Sequence, residues 1–274
     1  MNLLNYYKEN GLLKFFQLIV NKFLEKFFGL RIVRGDGISS NSLARKVFGR
    51  CKILYSDNSY YYLDPMPSVS DLNEYYSSLY WGSRSGKIYN VNKRDLIHYI
   101  ILKEYIPDEI VKDRVLLNFG AGHGGISHLC WIDGMKIVNV EPSLLPKFYE
   151  NRWEVFADIN QVQDSSIDII YGSHSLEHVQ NIQNFKEEVN RVLKPNGYLF
   201  WEVPNADANG NGPKENKVHI PHTYYFQRDF FKNWFKEVLI CDSYEQSQRF
   251  DVIENWQKYK DLNGSVIRAL GKIN

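Results

Sequence analysis

A glycine-rich turn is the first feature of this chain that could support chemistry. The run VLLNFGAGHGG places Gly120, Gly122 and Gly124 between an apolar strand and the start of a helix. Glycine adopts positive φ at little cost and lets backbone approach a ligand where a Cβ would collide, and N–H groups at a helix start can face an anionic or polar group. Glu141 follows about twenty residues later, at the end of the next strand, where its two oxygens can accept from both hydroxyls of a ribose. Together these features predict a ligand that contains adenosine.

The glycine turn alone leaves the identity of that ligand open. Gly120, Gly122 and Gly125 also satisfy the GxGxxG pattern of dinucleotide-binding proteins, so an NAD cofactor competes with other adenosine-containing ligands. A third interpretation is that the glycines only make a tight connection between a strand and a helix.

Histidines follow the fourth and fifth predicted strands, at the end of the sheet where ligands bind in open α/β folds. His174 and His178 lie in GSHSLEHV, and His219 and His222 lie in VHIPHTYYF. An imidazole with an ordinary pKa of about 6.5 suits a general base that takes a proton from a hydroxyl nucleophile. We therefore take His174, His178 and His222 as the candidate catalytic residues, with a structural role in its loop as the alternative for His178.

The same region gives no specific metal-binding pattern in the sequence. His219 and His222, with Glu177, offer nitrogen and oxygen ligands, but their spacing is unspecific. The chain has three cysteines, and none lies at a CxxC or other ligand spacing. The sequence predicts no metal, and it predicts reduced, buried thiols.

The elements that must position these residues alternate between strands and helices from Asp95 onward, the pattern of a parallel sheet covered on both faces. We therefore predict an α/β fold with a Rossmann-like, seven-stranded, mostly parallel sheet and helices on both faces. Two domains are predicted, an N-terminal helical and hairpin extension at 1–94 and a cofactor-binding domain at 95–274. Apolar runs bounded by turn residues place the strands at 115–119, 136–140, 153–156, 167–171, 198–203, 237–241 and 250–254.

The N-terminal extension is predicted to hold an amphipathic helix within residues 1–30, a hairpin at 48–64 and a short helix that Ser70 or Asp71 caps. Lysines interrupt the first apolar run well short of the roughly 18 residues that a membrane span needs, and no signal-peptide pattern is present. We therefore expect a cytoplasmic protein. The apolar face of the first helix can pack on the rest of the chain, pair with another subunit in a homo-oligomer, or lie on a membrane surface.

The overall charge argues against nucleic acid as a partner. The formal net charge is +1 and the pI is about 7.7, which provides no broad electropositive field. We expect a small-molecule acceptor and no nucleic-acid partner.

Three ordered segments carry a family resemblance, and they read VFADI at 155–159, DIIYGSHSLEHV at 168–179 and VNRVLKPNGYLFWEVPN at 189–205. In this succession residues 95–245 resemble the class I S-adenosylmethionine-dependent methyltransferases, in particular the bacterial small-molecule and sugar methyltransferases. The resemblance implies S-adenosylmethionine as cofactor and an O-methyltransferase acting on a sugar, a nucleotide-linked sugar or a capsular polysaccharide precursor. The alternatives are an NAD-dependent oxidoreductase or epimerase, and a non-catalytic scaffold subunit that binds the cofactor.

The resemblance also implies roles for individual residues. Glu141 would hold the ribose hydroxyls, Asp158 would accept from the adenine amino group, and Ile159 would pack near the ring. Asn118 stands where family members commonly have an acid, so we expect an altered cofactor affinity. The cofactor-binding set in this part of the chain is Asn118, Gly120, Ala121, Gly122, Gly124, Glu141, Pro142, Asp158, Ile159, Ser173 and His174.

Residues outside that set are expected to complete the site. Tyr76, Tyr80 and Arg84 precede it and could fold over the cofactor, with Arg84 pairing with its carboxylate. The tyrosines can equally form an ordinary half-buried aromatic cluster. The substrate-binding set, which follows the fifth strand, is predicted to be His219, His222 and Tyr225.

Overall fold

The computed structural model describes most of the chain. The described residues are 31–32, 42–80, 91–106, 113–142, 153–208, 213, 217–218, 221–243 and 264–273. Four predicted features lie outside them: the helix within 1–30, Arg84, His219 and the strand at 250–254.

The described residues form six α-helices and twelve strands. The helices are α1 (Ser42–Phe48), α2 (Val69–Tyr75), α3 (Lys93–Tyr105), α4 (Gly125–Ile132), α5 (Ile182–Val192) and α6 (Arg228–Trp234). Within the described part of the chain, no helix combines the length and the apolar composition that a membrane crossing requires. The strands are β1 (Arg31–Ile32), β2 (Lys52–Ser56), β3 (Tyr60–Asp64), β4 (Val115–Phe119), β5 (Lys136–Val140), β6 (Glu154–Phe156), β7 (Ile167–Ser173), β8 (Leu193–Pro204), β9 (Lys217–Val218), β10 (Tyr224–Phe226), β11 (Glu237–Ser243) and β12 (Val266–Lys272).

The central sheet has seven strands in the order β11-β12-β8-β7-β4-β5-β6. The strands β6, β5, β4, β7 and β8 run parallel, and β12 runs antiparallel to both β8 and β11. The prediction of an α/β fold with a mostly parallel sheet is confirmed. The strand beside β8 is β12, which the sequence patterns did not predict.

Both faces of the sheet are covered because its central strands carry apolar side chains on each face. Along β8, Leu199 and Trp201 share a buried cluster with Phe185 of α5, whereas Phe200 belongs to a second cluster with Ile97 of α3. This alternation is the period of two expected of a strand that is buried on both faces. The two apolar layers fix β7 and β8, whose carboxyl ends carry the candidate site.

A second sheet joins the N-terminal hairpin to the segment that follows β8. The strands β2 and β3 pair antiparallel, as the sequence predicts, and β10 pairs with β3 so that Tyr224 lies opposite Tyr62. The Leu63 N–H also donates a hydrogen bond to Thr223 O at 3.0 Å. The hairpin therefore holds β10, and with it the histidine that precedes that strand, in a fixed position.

The helix α2 begins earlier than the sequence suggested. Ser68 is its cap, and its Oγ accepts a hydrogen bond from the Asp71 N–H at 3.1 Å. The predicted cap, Ser70 or Asp71, is therefore wrong, because Ser68 stands three residues before an acid and forms the capping pattern itself. A π-helical turn at Tyr76–Tyr80 continues the helix.

Asp168 at the start of β7 joins three segments of the fold. Its carboxylate accepts hydrogen bonds from Arg114 Nη1 at 2.8 Å, from the Val115 N–H at 2.9 Å and from Lys194 Nζ at 2.7 Å. Burial alone would raise the pKa of Asp168, but these donors outweigh burial and hold the pKa below its usual value. Asp168 thereby ties the starts of β4 and β7 to the start of β8.

Replacing Asp168 by alanine is expected to lower the free energy of unfolding by about 2–4 kcal/mol, because the Val115 N–H loses its acceptor and two cations lose their counter-ion. Urea denaturation at pH 7 measures this change. Since the folded-state pKa lies below the unfolded-state value of about 3.9, the unfolded chain binds more protons in acid, and the contribution is lost as the pH falls through the folded-state pKa. The control is Asp229→Ala, in an exposed pair with Lys232, and should cost less than about 0.5 kcal/mol. An equally small cost at Asp168 would contradict this role.

Candidate active site

The glycine turn lies at the carboxyl end of β4, between the ends of β5 and β7. Gly120, Gly122 and Gly124 have φ values of 69°, 52° and 69°, a left-handed conformation that glycine adopts without strain. A Cβ on Gly120 would lie 2.5 Å from Ser175 Cβ, so no larger residue fits. The N–H groups of Gly120 and Ala121 both donate to Val140 O, at 2.8 and 3.2 Å. The turn therefore carries no side chains at its glycines and is hydrogen-bonded to β5. A ligand that contacts the backbone requires both features.

Glu141 at the end of β5 faces this turn. Its side chain is buried, and its Oε2 accepts a hydrogen bond from the Gly122 N–H at 2.9 Å. The Glu141 N–H donates to Phe156 O at 2.9 Å, which fixes the residue between β5 and β6, and the following Pro142 is exposed. A carboxylate offers about four acceptor positions, so the bond to Gly122 leaves capacity for a diol. The acceptor positions of this carboxylate fit the hydroxyls of the ribose in an adenosine-containing cofactor.

Asn118 stands where the family resemblance implies an acid, and its side chain belongs to a buried row of hydrogen-bonded polar side chains. Its Nδ2 donates to Ser127 Oγ at 2.8 Å, and that hydroxyl donates to Asn139 Oδ1 at 2.7 Å. The amide donor of Asn118 is thus engaged in joining β4 and β5 to α4. Its contact with the cofactor stays a prediction.

The segment predicted to bind adenine follows β6, and hydrogen bonds from Arg191 of α5 hold it in place. Asp158 is exposed and caps a 3-10 turn through the Asn160 N–H at 3.0 Å, and Ile159 is buried under it. Arg191 of α5 donates to Ile159 O at 3.1 Å and to Val162 O at 2.7 Å. The sequence analysis did not identify Arg191, whose only signal was its place in VNRVLKPNG.

We expect Arg191→Gln to raise the KM for S-adenosylmethionine about 10-fold with little change in kcat. The substitution removes charge-assisted hydrogen bonds to two carbonyls, each worth about 1.5–3 kcal/mol, and so loosens the loop that carries Asp158. Steady-state kinetics with varied cofactor measures the effect. Lys232→Gln, at an exposed pair with Asp229, serves as control, and a fall in kcat with unchanged KM would show that Arg191 does not act through the adenine loop.

Glu177, His178 and His222 come together at the carboxyl end of β7, and we call them the Glu177 cluster. The Nε2 atoms of His178 and His222 each lie 3.9 Å from Glu177 Oε1, and the two imidazole rings are 4.9 Å apart. Burial alone would raise the pKa of Glu177, but His174, His178 and His222 outweigh it and lower the pKa to about 2. Burial lowers the pKa of His178. At neutral pH the cluster therefore contains a carboxylate facing imidazoles, one of which burial keeps neutral.

Hydrogen bonds between two distant segments explain how His222 comes to lie beside Glu177. The loop after β7 closes in a 3-10 turn at Leu176–His178. Thr223 holds the incoming segment against that turn: its N–H donates to Glu177 O at 2.8 Å, and its Oγ1 lies 2.6 Å from Val179 O. His222 is adjacent to Thr223 and is thereby fixed beside Glu177. The cluster also adjoins the glycine turn, since Ser175 contacts Gly120.

His174 lies between two buried carboxylates. Its Nδ1 is 3.4 Å from Glu177 Oε1 and its Nε2 is 3.5 Å from Glu202 Oε1. Burial alone would lower the pKa of His174, but these two carboxylates raise it to about 10. His174 therefore carries a proton at neutral pH and cannot accept another. This protonation state argues against His174 as the base and favours His178 and His222, and the catalytic roles of all three stay predictions.

A fully buried ionic network lies behind His174. Glu202 accepts from Arg268 Nε at 2.6 Å and from Ser173 Oγ at 3.0 Å, and His98 Nε2 lies 2.9 Å from it. Burial alone would raise the pKa of Glu202, but these neighbours and His174 hold it well below its usual range, while burial lowers the pKa of His98 to about 4. Ser173 and His174, predicted to contact the cofactor, are anchored by Glu202. The sequence analysis missed this network.

Two of the predicted tyrosines flank the Glu177 cluster. The Tyr76 ring is 6.0 Å from the His178 ring, and the Tyr225 ring is 6.1 Å from the His222 ring. Tyr225 is buried and Tyr76 is half-buried. Tyr80 ends the π-helical turn, and its side chain lies outside the described part. Tyr76 is part of an aromatic cluster beside the candidate site, and its contact with the cofactor stays a prediction.

Residues 92–238, from the start of α3 to β11, match the family model described as a methyltransferase domain. The chain belongs to this methyltransferase family. S-adenosylmethionine is its cofactor, and the glycine turn with Glu141 supplies the groups that would hold it. The family assignment decides against the NAD-dependent oxidoreductase and the non-catalytic scaffold. It does not by itself identify the acceptor.

The methyltransferase is similar to several known proteins. The thiol S-methyltransferase TMT1B of Rattus norvegicus is 32% identical over 135 residues, which is 44% of this chain. The match spans about half, 53%, of that curated relative's length. A solved S-adenosylmethionine-dependent methyltransferase from Thermotoga maritima is 15% identical with a TM-score of 0.51, covering 74% of this chain and all of that one. Another from Archaeoglobus fulgidus is 19% identical with a TM-score of 0.47, covering 72% of this chain and 99% of that one. The likeness to the Thermotoga structure shows a shared fold.

Proposed function

We propose that this methyltransferase acts on a hydroxyl group of a sugar, a nucleotide-linked sugar or a capsular polysaccharide precursor. The observation that carries the proposal is the Glu177 cluster, in which two imidazoles converge on one buried carboxylate beside the glycine turn. A hydroxyl is a weak nucleophile and requires activation as it attacks. The position of the cluster supports the proposal, because it lies at the carboxyl end of a central parallel strand, where ligands bind in open α/β folds.

The proposed reaction is an in-line displacement. S-adenosylmethionine supplies the methyl group on its sulfonium sulfur. The acceptor oxygen forms a bond to the methyl carbon, the carbon–sulfur bond breaks with its electron pair left on sulfur, and the hydroxyl proton leaves to solvent. Most of the protein's contribution is alignment of the acceptor, to which His222 and the flanking Tyr225 are proposed to bind, while the Glu177 cluster activates its oxygen.

A thiol is the second candidate acceptor, and one observation favours it. The rat relative is a thiol S-methyltransferase that is 32% identical over the matched residues. A thiol with a pKa of about 8.5 is partly ionised near neutral pH, so it needs less activation than a hydroxyl. The Glu177 cluster has no obvious task with such an acceptor, which is why we prefer the hydroxyl.

Reactions with S-adenosylmethionine that carries a deuterated methyl group distinguish the two acceptor classes. Nucleotide-linked sugars and small thiols are offered separately to the full chain, and mass spectrometry detects the transferred methyl group. We expect labelled nucleotide-linked sugar above the level seen without protein, and only background label on thiols. Label confined to thiols would overturn the O-methyl proposal.

A further inference from the structure

The geometry points to a divalent-cation site in the Glu177 cluster, for an ion of the zinc class that accepts imidazole and carboxylate ligands. The three ligands would be a carboxylate oxygen of Glu177 and the Nε2 atoms of His178 and His222. The inference rests on the proposed function only for the ion's purpose, which would be to polarise the acceptor oxygen. The sequence offered His219 and His222 with Glu177 as ligands but predicted no metal, because their spacing is unspecific.

The spacing of the three side chains is close to that of metal ligands. One ligand atom from each of them lies within 4.8 Å of the others, and both distances from Glu177 Oε1 to an imidazole Nε2 are 3.9 Å. These distances are too long for a direct hydrogen bond. Ligands about 2.1 Å from a tetrahedral ion lie roughly 3.4 Å apart, so an inward shift of about half an ångström would bring the imidazoles into place.

The surroundings of His178 suit a metal-binding imidazole. Its Nδ1 lies 3.4 Å from Pro221 O. A proton on Nδ1 leaves the lone pair on Nε2, the ring nitrogen that lies 3.9 Å from Glu177 Oε1. Metal-bound histidines commonly donate their other ring N–H to a backbone carbonyl in this way. Pro221 precedes His222, so the same short segment supplies one ligand and orients another.

The carboxylate of Glu177 is also available for an ion. It is 1% exposed, and among the described residues neither of its oxygens accepts a hydrogen bond of good geometry. A structural explanation would make Glu177 simply the counter-ion of His174, which lies 3.4 Å away. That ion pair accounts for one imidazole, but it does not explain why two further imidazoles face the same oxygen across a gap of 3.9 Å.

The ligand set has a chemical consequence. Two histidines and one glutamate are a set that catalytic zinc sites use, with a further position left for water or substrate. An ion held there acts as a Lewis acid on the group that occupies the open position. Imidazole ligands favour zinc, cobalt and nickel over magnesium, so magnesium should not compete for the site.

Cobalt(II) is the probe that tests this inference, because tetrahedral cobalt absorbs visible light. The full chain is first dialysed against a chelator and then titrated. We expect saturable visible bands at one cobalt per chain, abolished by zinc and unaffected by magnesium. Glu177→Gln and His222→Ala should each weaken cobalt binding by more than about 100-fold, the upper end of the loss seen for outer-shell partners.

Matched controls are Glu187→Gln, an exposed acid, and His128→Ala, a half-buried histidine outside the cluster; both should bind cobalt like the unaltered chain. Absence of the bands, or unchanged binding in His222→Ala, overturns the metal site. S-adenosylhomocysteine binding by calorimetry confirms that each variant is folded, and His222→Ala carries the test if Glu177→Gln does not fold.

Cobalt binding without methyl transfer to any sugar would contradict the proposed function alone. Full-rate transfer by metal-free protein would contradict the ion's purpose of polarising the acceptor oxygen.

Discussion

Glu141→Ala is expected to weaken S-adenosylmethionine binding by at least about 100-fold, or about 2.7 kcal/mol. The substitution removes the acceptor for two ribose hydroxyls, and a hydrogen bond to a charged group is worth about 1.5–3 kcal/mol. It also removes the acceptor of the Gly122 N–H, which donates to Glu141 Oε2 at 2.9 Å. The glycine turn therefore loses one of the hydrogen bonds that hold its conformation. Isothermal calorimetry with the cofactor measures the loss.

Two further variants make this result specific. Glu141→Gln keeps one acceptor oxygen without the charge and should lose about 10-fold in affinity, since charged acceptors are roughly twice as strong as neutral ones. Glu154→Ala, an exposed acid on the neighbouring strand β6, should bind cofactor normally. If Glu141→Ala binds as tightly as Glu154→Ala, the ribose is held by other residues.

His222→Ala is expected to lower kcat by about 10²–10⁴-fold, because the acceptor oxygen loses part of the Glu177 cluster that activates it. The side chain lies 3.9 Å from Glu177 Oε1, next to the segment that Thr223 fixes, and it belongs to the predicted substrate-binding set and not to the cofactor-binding set. The cofactor Kd should therefore change by less than about 3-fold, which corresponds to well under 1.4 kcal/mol. Single-turnover kinetics with saturating cofactor measures the chemical step.

His128→Ala is the matched control for this substitution. His128 lies on α4 outside the Glu177 cluster and is half-buried, so the variant should turn over like the unaltered chain. A wild-type rate for His222→Ala would remove that residue from acceptor activation. Parallel losses of rate and of cofactor affinity would show instead that His222 maintains the fold of the site.

Local sequence patterns were sufficient to predict those elements whose characteristic residues lie within one short segment of the chain. The strand β4, the glycine turn and α4 follow one another in a single segment, and the hairpin β2–β3 has its turn residues between two β-rich stretches. The strand β12 was missed because VIRALGK interrupts its apolar residues with Arg268, Gly271 and Lys272. Its place beside β8 comes from tertiary contacts, including the buried pair of Arg268 with Glu202.

The candidate site divides in the same way. Glu141 and the three glycines could be predicted because their spacing reflects one strand-turn-helix unit and the next strand. The members of the Glu177 cluster were named one by one, but their convergence and the Glu202 network could not be predicted. His98, Arg268 and His222 meet their carboxylates only in the folded chain. Glu202 beside His174 was missed for the same reason, and together with Glu177 it raises the pKa of His174. The catalytic role of His174 stays a prediction.

A crystal structure of the full chain with S-adenosylhomocysteine is the most direct measurement of where the reaction takes place. The expected result has the ribose hydroxyls within hydrogen-bonding distance of Glu141, the nucleoside against Gly120 and Gly122, and the sulfur directed toward the Glu177 cluster. A nucleoside bound away from the glycine turn, or a sulfur directed away from His222, would contradict the arrangement described for this methyltransferase.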